Sequence, residues 1–94
     1  MTRNDLLKKA AEIVSGERDQ EYGGPEENFS RIALYWTAYL GRNIVPEDVA
    51  VMMMFVKIAR LSASDFKSTD SWVDIAGYAA CGAEIANFDD EENT

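Results

Sequence analysis

The stretch PEDVAVMMMFVKIARL, Pro46 to Leu61, decides the fold class. Proline has no N–H to lose at a first helical position, and its fixed φ suits that place. Glu47 and Asp48 follow where the positive end of the helix dipole favours acids. Val49, Met52, Met53, Val56 and Ala59 then recur at three- and four-residue spacing, which predicts a helix that buries that stripe. The same grammar repeats upstream. Pro25 with Glu26 and Glu27 opens a helix whose apolar stripe is Phe29, Ile32, Trp36, Tyr39 and Leu40, closed by Gly41. Residues 4–15 place Leu6, Leu7, Ala10, Ile13 and Val14 on one side, with Gly16 as the stop. Ser68 or Thr69 caps a fourth helix that runs to about Ala86.

Residues 17–24 and 62–67 have no apolar period and read as loops. Strand-like alternation is not sustained anywhere in the chain. The expectation is an all-α fold, a four-helix bundle formed by one domain over residues 1–88, with an acidic, disordered tail over 89–94. The fourth helix is rich in small residues, among them Gly77 and Gly82. Each helical glycine costs about 1 kcal/mol relative to alanine. Such a cost is accepted where another surface must come close, either within the chain or on a second subunit.

Ninety-four residues leave room for one folding unit. The net charge is −8, and four of the seventeen acids lie in 89–92. That balance opposes a sequence-independent grip on nucleic acid, which requires a basic face. No apolar run approaches the roughly 18–20 residues of a membrane span, and the polar amino terminus has no secretory core, so an intracellular protein is expected. The one cysteine, Cys81, excludes an intramolecular disulfide. Histidine is absent, which removes His-based metal sites, Ser-His and Cys-His nucleophile pairs, and the usual neutral-pH proton shuttle.

The chemistry left to the chain concentrates in three places. Asp70 and Asp74 are four residues apart, so both carboxylates fall on one helix face, where like charges repel unless a cation lies between them. Mg²⁺ suits such a pair because it takes oxygen ligands from one or two carboxylates, phosphates and water. Lys57 and Arg60 share a side at the end of the third helix and could grip phosphate oxygens. Residues 18–29 bring charges, Tyr22 and two glycines to a helix amino terminus. Ordinary roles account for the same residues: dipole compensation, ion pairing that fixes helix register, and a polar turn.

Taken together, RDQEYGGPEENFSRIALYW (18–36), PEDVAVMMMFVKIARL (46–61) and TDSWVDIAGYA (69–79) resemble a small domain of phages and prophages. Their order, Tyr-Gly, Lys-x-x-Arg and Asp-x-x-x-Asp-x-x-x-Tyr, is similar to nucleotide-modification-associated domains. More remotely it is similar to the all-α nucleoside triphosphate pyrophosphohydrolases of the MazG and dimeric dUTPase group. The resemblance implies a compact MazG-like fold, a homo-oligomer and a place in the cytoplasm of a bacterial host cell. It further implies nucleotide binding, with Mg²⁺-dependent hydrolysis or a degenerate form of it. Asp70, Asp74 and Glu27 would be metal ligands, Lys57 and Arg60 a phosphate clamp, and Tyr22 a side chain facing the substrate. Glu26 and Glu27 are adjacent and diverge around the helix, so the first acidic pair of that group is not reproduced. The alternative is a non-catalytic helical accessory protein that binds a host or phage protein.

Overall fold

The computed structural model describes residues 1–16 and 23–87. Within them lie four α-helices and no strand: α1 (Arg3–Val14), α2 (Pro25–Leu40), α3 (Pro46–Ala63) and α4 (Thr69–Ala86). Tyr22 and the acidic tail over 89–94 lie outside the described residues. Among the described residues, no helix is long and apolar enough to cross a membrane.

The helix ends follow local chemistry. Thr2 and Asp5 form a reciprocal capping box on α1, with the Asp5 carboxylate accepting from the Thr2 N–H at 3.0 Å and Thr2 Oγ1 accepting from the Asp5 N–H at 3.1 Å. The Thr2 N–H, and after it the Thr2 hydroxyl, favour the ionised carboxylate and hold Asp5 below its ordinary value. Pro25 and Pro46 occupy first-turn positions. Asp48 accepts from the Val45 N–H at 3.0 Å. Ser68 caps α4, its hydroxyl accepting from the Ser71 N–H. Gly41 takes φ 68°, the left-handed conformation that ends α2 without a Cβ clash. At the α3–α4 corner the same region is held by Asp65 (φ 56°) and Phe66 (φ 63°), where side chains are strained.

An antiparallel α3–α4 hairpin is the centre of the fold. α1 packs against α4, and α2 packs mainly on α3 with a smaller contact to α4. Phe29, Ala33, Val49 and Ala50 form the buried cluster, with Ile32, Trp36, Met53 and Tyr78 packed against it. At Gly82 the hairpin is so close that an added Cβ would lie 2.9 Å from Ala50 Cβ.

The expected buried stripes need correction. On α3 the inward residues are Val49, Ala50, Met53, Lys57 and Leu61, whereas Val56 is 44% exposed and Ala59 is also outside. The helix is apolar nearly all round, so its pattern does not select a face. Tyr39 on α2 is 90% exposed and Leu7 on α1 is 59% exposed, so among the described residues nothing covers them. Trp72 is an exposed residue whose Nε1 donates to the Phe66 carbonyl at 2.9 Å, and it does not anchor the core.

Candidate functional site

A cavity of about 550 Å³ opens where α1 and the amino-terminal half of α2 lie over the α3–α4 hairpin. Its size falls within the roughly 300–1,000 Å³ of small-molecule sites. Ala10, Ile13 and Val14 reach it from α1, and Asn28, Phe29 and Ile32 from α2. Met53 and Lys57 come from α3, and Val73, Asp74, Gly77, Tyr78 and Cys81 from α4. The lining is mostly apolar, with the rings of Phe29 and Tyr78 tilted by 35° at a centroid distance of 6.1 Å.

Among the described residues, one ion pair stands on that wall. Lys57 Nζ lies 3.0 Å from Asp74 Oδ2, with side-chain exposures of 12% and 33%. Helix geometry explains the meeting. The close approach at Ala50 and Gly82 fixes the hairpin register. Seven residues forward on α3 and eight back on α4, about two turns each, bring Lys57 opposite Asp74. A largely buried ammonium is retained because a carboxylate faces it.

The other candidate residues lie elsewhere. Asp70 shares the α4 face with Asp74 but meets α1, where Lys9 Nζ is 3.9 Å from its carboxylate, and its side chain is 89% exposed. Arg60 is exposed and does not line the cavity. Glu27 pairs with Arg31 one turn along α2 at 3.6 Å, and its carboxylate lies over Gly23 at the cavity edge. The structure therefore brings together one member of the acidic couple and one of the basic couple. Among the described residues, no three His, Cys, Asp or Glu side chains converge as a metal ligand set.

Sequence reasoning read Met53 as core and gave Cys81 no site, while Asn28 and Phe29 fell within the 18–29 stretch without a role of their own. Tyr78 carried a signal. It lies one turn beyond Asp74 in the Asp-x-x-x-Asp-x-x-x-Tyr pattern, so the two share a face.

Comparison with known proteins gives a family and no activity. The model of a domain of unknown function, DUF6378, matches residues 5–86. The chain is similar to the Gene 55 protein of Mycobacterium phage L5, with 46% identity over 87 residues, covering 92% of this chain and 55% of that protein. It is also similar to the Gene 55 protein of Mycobacterium phage D29, with 43% identity over 80 residues, covering 85% of this chain and 52% of that protein. The chain thus spans about half the length of the curated relatives it matches. No solved structure matches it.

Proposed function

This chain belongs to the DUF6378 family, and from that premise we propose that it is a nucleotide-binding protein whose ligand occupies the cavity between α1, α2 and the α3–α4 hairpin. The observation that carries the reading is the Lys57–Asp74 pair at 3.0 Å on a mostly apolar wall. Ligand sites combine a large apolar lining with a few fixed polar groups in this way. Phe29 and Tyr78 supply flat surface for a ring. The resemblance of residues 18–36, 46–61 and 69–79 to nucleotide-handling domains supports the same choice of ligand.

Among the described residues the acids do not converge as a Mg²⁺ site. Asp74 faces Lys57, Asp70 lies off the wall beside Lys9, and Glu27, at the cavity edge, is paired with Arg31. Mg²⁺ needs oxygen donors in near-octahedral array. No step is therefore routed through the metal, and the pyrophosphohydrolase reading rests on the resemblance alone.

Calorimetric titration with a panel of nucleotides, with and without Mg²⁺, tests the proposal. Wild type should bind at least one of them. Asp74→Ala should weaken that binding at least tenfold, a loss of about 1.4 kcal/mol. Release of pyrophosphate in the same mixtures reports on hydrolysis. Absence of binding across the panel refutes the reading.

A second reading is favoured by a different observation. The outer sides of α2 and α3 expose Leu34, Tyr35, Tyr39, Val51, Phe55 and Ile58 at 45–90%. Aromatic side chains bury about 150–250 Å² each, so these six approach the roughly 800 Å² per partner of a standard interface. The proposed occupant is a second copy of the chain, giving a homo-oligomer. Light scattering should show a dimer or larger assembly that Phe55→Asp converts to a monomer. A wild-type monomer with a folded spectrum refutes self-association and leaves a host or phage protein as the partner.

A further inference from the structure

We infer that the cavity recognises the nucleoside end of its ligand and makes no use of the phosphates. This inference rests on the nucleotide-binding reading above. It follows from the charge on the wall. Among the described lining residues Lys57 is the cation and Asp74 the acid, and at 3.0 Å each neutralises the other. A phosphate brought to Lys57 must also approach Asp74, whose repulsion opposes the attraction. Among the described residues the neighbouring cations lie off the wall: Lys9 is beside Asp70, Arg31 beside Glu27, and Arg60 on the exposed end of α3, while Arg18 lies outside the described residues.

What the wall offers suits an uncharged ring system. Phe29, Tyr78, Met53 and Ile32 present apolar surface. An ammonium has three donors and a carboxylate about four acceptor positions, so the ion pair keeps a donor and an acceptor side by side after its own contact is made. Asn28 adds an amide with both functions. Neighbouring donors and acceptors match the polar edge of a base or the hydroxyls of a sugar. The phosphates then lie beyond the mouth, in solvent.

The experiment is a calorimetric series on the wild-type chain. The nucleoside, its monophosphate and its triphosphate, all of the base that binds best, are titrated at about 0.05 and 0.3 M salt, where screening differs strongly. The expected result is affinities within about threefold of one another at both salt concentrations. Lys57→Met should weaken nucleoside and triphosphate by the same factor, at least tenfold. An affinity that climbs tenfold or more from nucleoside to triphosphate and falls with salt overturns the inference, while nucleotide binding stands. Failure of every member to bind overturns both. The salt and phosphate series needs no variant, so poor folding of Lys57→Met would not blunt it.

Discussion

Gly82→Ala is the sharpest test of how the hairpin is built. Alanine is favoured over glycine within a helix by about 1 kcal/mol, so an isolated α4 would gain from the change. In the folded chain the new methyl would lie 2.9 Å from Ala50 Cβ. Carbon atoms pack best about 3.5–4.0 Å apart, so α3 and α4 must separate by roughly half an ångström or more. Both methyls are fixed to backbone and cannot rotate away. Overpacking of this kind costs about 1–3 kcal/mol, which exceeds the propensity gain and predicts a net loss of about 1 kcal/mol. At this chain length that corresponds to about 4–8 °C in Tm. Gly77 provides the control. A Cβ there would meet only Val14 Cγ1 at 3.3 Å, a half-buried side chain able to yield. Gly77→Ala should therefore be neutral or stabilising by up to about 1 kcal/mol. Urea denaturation of both variants, with Ala50→Gly added to Gly82→Ala, closes a double-mutant cycle whose coupling should be at least about 1 kcal/mol. A Gly82→Ala protein as stable as Gly77→Ala, or zero coupling to Ala50, would refute the close hairpin and the register that sets Lys57 against Asp74.

Three further outcomes are expected. Asp74→Ala leaves the mostly buried Lys57 without its carboxylate and should cost about 1–3 kcal/mol, whereas Lys57→Met leaves the more exposed Asp74 and should cost less; chemical denaturation of both variants would show the order. Asp65→Gly relieves a left-handed residue at the α3–α4 corner and should stabilise the chain by about 1 kcal/mol, measured the same way. Asp5 is held below its ordinary carboxylate value by the Thr2 N–H and hydroxyl, so its contribution is present in full above that value and is lost as pH falls through the lowered one. The stability gap between wild type and Asp5→Ala, followed by thermal melts, should accordingly be constant near neutrality and narrow in acid.

The starts and stops of the helices were legible because they are local. Pro25 and Pro46 followed by acids, Gly41, and Ser68 act on backbone groups within a turn of themselves, and those interactions are the same in any tertiary setting. The four-helix class follows from them. Small differences come from local bonds as well: α1 ends at Val14 with Ser15 as its cap, one residue before the glycine that was expected to stop it. The resemblance to a small phage domain was legible too, since it rests on residue order alone, and the DUF6378 match over residues 5–86 agrees with it.

Which side of a helix becomes a site was decided elsewhere. Asp70 and Asp74 share a face by spacing, yet Lys9 from α1 takes the first and Lys57 from α3 takes the second, because the neighbours of α4 change along its length. Lys57 and Arg60 separate in the same manner, one turning into the cavity and the other to solvent. The sequence by itself determined where helices begin and end, because capping and dipole effects reach only one turn. Tertiary structure alone decided which charges meet and which apolar stripe is inside, because burial depends on the distance between helices, which residues far apart in the chain set together.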